Sequence, residues 1–486
     1  MTWVALSAPE KEDVGRPRRV AFFTLGCKVN QQETAALQEL FRGRGYEIVG
    51  FDSPAEVYII NTCTVTHLAD HKSRQMIRRA VARRQCPAGA GGNPAGEARG
   101  GTAVTAVVGC YAQTAPEEVL SLGVDVLVGT QDRGRIVDLV EQAASRMLDV
   151  APGDDGGSAE ALCIVSPLSG GARFEELPLP RPRNRTRAFL KIEDGCDQYC
   201  SYCIVPFARG PVRSLRPELA LRRLEELLAA GFREVVLTGV HASAYGRDLA
   251  DGINLASLLR MLLQLPGEFR LRLSSVEPSE VPDELLDVLA SPRICRHLHL
   301  PLQSGDDGIL ALMGRSYQAA DYEDLFRRVQ ERRPGVAVAA DVMVGFPGET
   351  DLRFENTCRF VASLPFRDLH VFKYSPRPGT RAAEMPGQVA PAAKDERSGR
   401  LRRLADEQVA AFAGRFIGQT LPVLVEHPAR HPARRGCWEG LSDNYLRVAF
   451  PAPDGSADLQ GSLVPVRVLK RLEGDILYGE AVLSSF

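Results

Sequence analysis

No apolar run in this 486-residue chain approaches the ~20 residues that a membrane-spanning helix needs. The N-terminus builds no signal-peptide core either, because Glu10, Lys11, Glu12 and Asp13 interrupt it. An excess of one charge is also missing. Lys and Arg number 59 against 61 Asp and Glu, a formal charge of −2. Net charge therefore argues for no polyanion, and such a partner needs local basic patches. No internal repeat is evident. The cysteines number eleven, so they cannot all pair. Without an export signal disulfides are the less expected use, and metal or redox chemistry rises. The chain is expected to be soluble and cytoplasmic, with no membrane partner.

What is present is globular: 44% hydrophobic and 25% charged residues, at a length that suggests about three domains. Residues 1–18 read as a polar, disordered leader. Residues 19–149 alternate strand patterns (Val20–Leu25, Val57–Asn61, Val104–Val108, Val124–Val128) with helical ones (Gln31–Arg42, Ala69–Arg84, Pro116–Leu120, Gly134–Met147). That alternation predicts an α/β domain with a parallel sheet, interrupted by a Pro/Ala/Gly loop from Cys86 to Gly101. Residues 150–181 read as a linker. In 182–415, six strand patterns (Phe189–Ile192, Glu234–Gly239, Arg270–Ser275, His297–Leu302, Ala337–Val344, Asp368–Tyr374) alternate with helices. They predict a partial (β/α)6 barrel, with chemistry at the C-terminal strand ends. Residues 416–486 carry short β runs (Leu421–Val425, Leu446–Phe450, Leu463–Leu469, Ile476–Leu483), which fit a small OB-like β-barrel.

The strongest motif is Cys196-Asp-Gln-Tyr-Cys200-Ser-Tyr-Cys203, just after the first barrel strand. Three thiolates in a C-x3-C-x2-C run can hold three corners of a cubane iron–sulfur cluster and leave one iron open. A structural zinc would need a fourth Cys or His nearby, and the next histidine is His241. Cys27, Cys63 and Cys110 are separated by 36 and 47 residues and match no local metal motif. Each stands at the C-terminal end of a predicted parallel strand, the edge where α/β sheets place ligands. Gathered there they can hold a second cluster; as single residues they read equally as buried structural cysteines.

The C-x3-C-x2-C run resembles that of the radical S-adenosylmethionine superfamily. The resemblance implies a [4Fe–4S] cluster whose open iron is chelated by the methionyl amine and carboxylate of S-adenosyl-L-methionine. One electron then cleaves the sulfonium to a 5′-deoxyadenosyl radical, which opens C–H bonds that acid–base catalysis cannot. Together with Leu25-Gly26-Cys27-Lys28-Val29-Asn30-Gln31, Asn61-Thr62-Cys63-Thr64-Val65-Thr66, Val107-Val108-Gly109-Cys110-Tyr111-Ala112-Gln113 and the β-rich tail, it resembles the methylthiotransferase family from about residue 19 to 484. That implies an auxiliary [4Fe–4S] cluster on Cys27, Cys63 and Cys110, and a tail of the TRAM RNA-binding kind. It also implies a tRNA substrate met at the anticodon loop, an electron donor such as flavodoxin or ferredoxin, and a sulfur source. The wording around Cys27 is most similar to the MtaB subgroup, which acts on N6-threonylcarbamoyladenosine at tRNA position 37. An isopentenyladenosine substrate, an aspartate of a ribosomal protein, and a non-catalytic metal-bound RNA-binding protein stand as alternatives.

By the same resemblance the cofactor pocket involves Thr238, Gly239 and His241 after the second strand and Ser275 after the third. Gln303 after the fourth strand and Asp341 in the fifth complete it. Singly each is an ordinary turn or strand end, and His241 reads equally as a structural histidine. Arg377, in Tyr374-Ser375-Pro376-Arg377, suits a carboxylate or phosphate but equally a surface turn. For RNA, the tail from residue 421 is not basic, with 7 Lys and Arg against 8 Asp and Glu. The segment His71–Gln85, with six Lys/Arg and no acid, is basic. So are the flanks of the cysteine loop, with Arg181, Arg183, Arg185, Arg187 and Lys191 before it and Arg209, Arg213 and Arg216 after it. Both segments can hold a phosphate backbone, or be solvated faces. No role is assigned to Cys86, Cys163, Cys295, Cys358 or Cys437.

Overall fold

Val57–Thr62 and Val104–Gly109 are buried along their whole length, as strands covered on both faces are. The computed structural model describes residues 18–84, 103–149, 160–168, 172–180, 185–250, 252–431, 434–452, 458–472 and 475–482. The expected leader up to residue 17 and the Cys86–Gly101 loop lie outside them. In the first unit β1 (Arg19–Thr24), β2 (Glu47–Val49), β3 (Val57–Thr62), β4 (Val104–Gly109), β5 (Val126–Val128) and β6 (Leu162–Ile164) form one sheet, ordered β2-β1-β3-β4-β5-β6. Every pairing in it is parallel. Helix α1 (Lys28–Gly43) puts Ala36, Leu37 and Phe41 against Val20, Ile59 and Ala106 on one face. Helix α2 (His67–Arg84) puts Met76, Ile77 and Ala80 against Tyr58, Ile60 and Val107 on the other. Both edge strands go beyond the sequence reading, and β6 falls inside the expected linker. Three residues are too few to show an alternation, and Leu162–Ile164 gains its identity from pairing with β5.

The second unit carries six parallel barrel strands: β7 (Arg187–Lys191), β10 (Glu234–Thr238), β11 (Arg270–Leu273), β12 (His297–His299), β13 (Ala337–Val344) and β14 (Asp368–Lys373). They form two three-stranded sheets, β11-β10-β7 and β12-β13-β14. Bridges from Leu271 to Ile294 and from Ser275 to His299 join the halves. The ring is therefore open between β7 and β14. Alternate residues such as Ala188, Leu190, Val235, Leu237, Leu271 and Leu273 form the core under the helices. The pleat turns Arg187, Phe189, Glu234, Val236, Arg270 and Arg272 to the interior. Between β7 and β10, β8 (Glu193–Asp194) and β9 (Arg213–Ser214) pair antiparallel and close the neck of the loop that bears Cys196, Cys200 and Cys203.

A helix over Pro391–Gly414, not read from the sequence, packs along β14 and leads to the third unit. There β15 (Thr420–Pro428), β16 (Cys437–Ser442), β17 (Arg447–Pro451), β18 (Leu463–Arg471) and β19 (Ile476–Ala481) close a barrel in the order β15-β16-β17-β19-β18. Four strands were expected; β16 is the fifth. Among the described residues no helix is long and apolar enough to cross a membrane.

Candidate metal centres

In the first sheet β1, β3 and β4 are neighbours, with Thr24 opposite Asn61 and Thr62 opposite Gly109. Cys63 and Cys110 directly follow two of these strand ends, and Cys27 follows the third by three residues. Parallel pairing thus carries cysteines far apart in sequence to one edge. Asn30 ties the edge together: its Nδ2 donates to the carbonyls of Leu25 (2.8 Å) and Thr62 (3.0 Å). Gly26, at φ +111°, is required there. A Cβ on it would lie 2.8 Å from Asn30 Nδ2 and 3.0 Å from the Cβ of Cys63. Gly109, at φ +102°, likewise leaves no room for a side chain against Asn61 and Thr62. Burial first, then the neighbouring Cys110, pushes the Cys63 thiol up to about 12. Burial also raises Cys110, against the pull of Arg209, whose Nε donates to Cys110 Sγ at 3.3 Å.

The second triad sits in one loop. Cys203 N donates to Cys200 O (2.9 Å) and Cys196 N to Gly210 O (2.9 Å). Burial leads in pushing both the Cys196 and the Cys203 thiols up to about 12, with the other cysteines of the loop adding to it. Arg315 Nη1 donates to Cys200 Sγ at 3.3 Å and pairs with Glu277. His241 Nδ1 lies 3.7 Å from Cys196 Sγ, and its Nε2 lies 2.9 Å from Glu280 Oε2.

Both donor sets fit iron–sulfur clusters. Each offers three thiols, of which burial keeps two (Cys63 and Cys110; Cys196 and Cys203) from ionising, and a metal's positive charge is what turns such thiols into thiolates. Each has one cationic donor, Arg209 or Arg315, aimed at a sulfur, as the negative charge of a thiolate cluster requires. Sequence reasoning missed Arg315 as well as Glu277 and Glu280, because only the folded barrel brings their segments to the cysteine loop.

Of the rim residues, Thr238 ends β10, Gly239 and His241 follow it, Ser275 and Gln303 follow β11 and β12, and Asp341 lies within β13. Thr238 is buried at the end of β10, and His241 N donates to Glu193 Oε2 (2.7 Å). Ser275 bridges to His299, and Gln303, at φ +63°, bridges to Val342. Asp341 lies within hydrogen-bond distance of His299 Nε2 (3.0 Å) and His370 Nδ1 (3.1 Å). Burial would raise its carboxyl, but those two hydrogen bonds hold it well below the usual range.

Several basic residues offered for phosphate prove to be committed elsewhere. Arg209 is buried against Glu33 (2.5 Å), Asp194 (3.2 Å) and Asn30 (2.6 Å). Lys191 reaches the same two carboxylates at 2.7 Å each. Arg213 and Arg133 complete this junction between the first two units. Arg377 is buried too, on Asp70 (2.6 Å) and Thr64 (2.8 Å), next to Cys63. On α2, Arg74 pairs with Glu118, and Arg79 and Arg83 pair with Asp52. Lys72, Arg78, Arg185 and Arg216 stay exposed; Arg181 and Arg183 lie outside the described residues.

Residues 190–361 match the Radical SAM superfamily, and residues 19–129 match the uncharacterized protein family UPF0004. The chain is 41% identical to a Bacillus subtilis (strain 168) protein named threonylcarbamoyladenosine tRNA methylthiotransferase MtaB, over 93% of this chain and 94% of that one. It is 36% identical to the Aquifex aeolicus protein of the same name, over 88% of this chain and 96% of that one. A Moorella thermoacetica protein named tRNA-2-methylthio-N(6)-dimethylallyladenosine synthase is 34% identical, over 94% and 97%. Among solved structures, the radical S-adenosylmethionine methyltransferase TsrM from Kitasatospora setae superposes with a TM-score of 0.55 at 16% identity, covering 76% of this chain and 77% of that one. That likeness concerns the fold alone.

Proposed function

This chain belongs to the tRNA methylthiotransferase family, and on that premise we propose that it transfers a methylthio group to C2 of N6-threonylcarbamoyladenosine in tRNA, at position 37 beside the anticodon. The observation that carries the reading is the pair of cysteine triads, one on a sheet edge and one in a barrel loop, locked together through Arg209 and Glu33. Cys196, Cys200 and Cys203 hold the cluster that engages S-adenosyl-L-methionine, and Cys27, Cys63 and Cys110 hold the auxiliary one. When bound, these groups supply a carbon radical strong enough to take hydrogen from an unactivated C–H bond, and the sulfur that replaces it.

The protein's own residues do the rest. Thr238, Gly239, His241, Ser275, Gln303 and Asp341 line the rim where the cofactor is held. Arg315 and Arg209 offset the negative charge of the two sulfur cages. The buried junction around Glu33 fixes the distance between them, so that one substrate atom meets both. The auxiliary-cluster unit spans 19–149 and is completed by β6; the radical unit spans 182–415, and the tail over 416–486 contacts RNA. Electrons come from a small carrier such as flavodoxin or ferredoxin, sulfur comes from a separate source, and the work is cytoplasmic.

Nucleoside mass analysis of tRNA from cells lacking the gene tests this. The expected result is loss of the methylthio nucleoside with accumulation of N6-threonylcarbamoyladenosine. An unchanged nucleoside profile contradicts it.

A further inference from the structure

A cavity of about 330 Å³ opens where the N-terminus of α1, the barrel strand β7 and the tail barrel meet. Its wall includes Lys28, Arg185, Arg187, Arg272, Glu426 and Tyr445. That volume falls in the range of small-ligand sites. Its charge is unbalanced. Arg187 is committed to Glu426 at 2.8 Å, and Arg272 to Glu234 at 2.7 Å and to the carbonyls of Ser442 and Asp443. Among the described residues neither Lys28 nor Arg185 has a carboxylate partner, and both are exposed to the cavity mouth. Arg185 stands over the ring of Phe189, 5.7 Å from its centroid.

The surrounding groups register this positive field. Burial would raise the Tyr445 phenol, yet Lys28, Arg187 and Arg272 bring it below its ordinary value. His297, stacked on Tyr445 at 4.6 Å, is held well below its ordinary value by burial and then by Arg272 and Lys28. A cavity with two uncommitted cations, in a wall already crowded with positive charge, favours an anion. Lys28 also directly follows Cys27, so one wall of the cavity is joined by the chain to the first cysteine triad.

We infer that Lys28, assisted by Arg185, binds the free carboxylate of the threonyl group on the substrate adenosine. This rests on the proposed function and adds to it the device that selects the substrate. A threonylcarbamoyl group carries an α-carboxylate; a dimethylallyl group carries no charge. The uncommitted cations gain a partner only from the first, and are left desolvated and unpaired by the second.

The test compares anticodon stem-loops that differ only at N6 of the adenosine: the free threonylcarbamoyl acid, its methyl ester and the dimethylallyl form. Binding and methylthiolation are measured with the intact chain and with Lys28→Gln, Lys28→Arg and Arg185→Gln. The unaltered chain is expected to favour the acid over the ester by about tenfold in kcat/KM, mainly through KM. Lys28→Gln brings that ratio close to one, and Lys28→Arg restores most of it. Arg185→Gln lowers the ratio by about threefold. An unchanged acid-over-ester ratio in Lys28→Gln overturns the inference, even if overall activity falls, because a structural role would slow acid and ester alike. A chain that modifies only the dimethylallyl form overturns the proposed function as well, and so is told apart.

Discussion

Arg209 is fully buried, yet it touches a thiol, an amide and two carboxylates: Cys110, Asn30, Glu33 and Asp194. Nearby Glu33 is fully buried as well, and its carboxyl sits well below the usual range because Arg133, Arg209 and Lys191 outweigh the cost of burial. Removing one cation from such a set leaves a buried negative charge short of compensation. Arg209→Met should therefore destabilise the protein by about 3–5 kcal/mol in denaturant unfolding. A loss below ~1 kcal/mol would show that the junction does not depend on it. The sequence offers no sign of this role. Arg209 reads as one of several arginines flanking a cysteine loop, and Glu33 lies 176 residues away on another unit. The positions of the cysteines were legible: spacing puts three of them in one loop, and the other three follow strands read in the sequence, where the family resemblance rather than spacing joined them into a set.

Elements make the second set of contacts. The turn between β16 and β17 reaches the barrel interior. Arg272 stands 4.8 Å from the Tyr445 ring centroid, and Arg270 and Arg272 donate to the carbonyls of Pro422, Leu441, Ser442 and Asp443. Glu234 fixes both guanidinium groups. Burial would raise its carboxyl, but Arg272 and Arg270 bring it down to about 2, against an ordinary 4.5. A depressed carboxyl contributes stability above its unfolded value and loses it as pH falls. Docking of the tail should thus be unaffected at neutral pH and weaken progressively from pH 4.5 toward 2, as limited proteolysis between the units will read. Glu234→Gln should remove most of that dependence. Tyr445→Ala should lower stability by about 2 kcal/mol in thermal unfolding, through the lost stacking on Arg272 and His297. At this scale the sequence was legible where runs are long and regular: β13 has the bounds its pattern predicts. It was silent for β2 and β6, which are three residues each, and for β16, whose Cys437-Trp438-Glu439-Gly440 start has no clean alternation. The helix over Pro391–Gly414 was also missed. Its buried positions are few, and they include Arg397 and Ser398.

Across the whole molecule, the first sheet and the barrel turn their cysteine-bearing ends toward one junction, and the tail barrel docks on the barrel strands through Arg187, Arg270, Arg272, Arg296 and Arg367. Chemistry divides accordingly. Cys200→Ala should abolish formation of 5′-deoxyadenosine under reductant. Cys63→Ala should keep part of that cleavage while losing the methylthio product, as chromatography of both products will show. Equal loss of cleavage in the two variants would contradict the division. The most direct measurement is iron and sulfide content after anaerobic reconstitution of two triple variants. One has Cys196, Cys200 and Cys203 replaced by alanine, and the other has Cys27, Cys63 and Cys110 so replaced. Two independent cages predict that each variant retains about half of the iron of the unaltered chain. Complete loss of iron from either variant, or no loss from either, would contradict two separate three-cysteine centres.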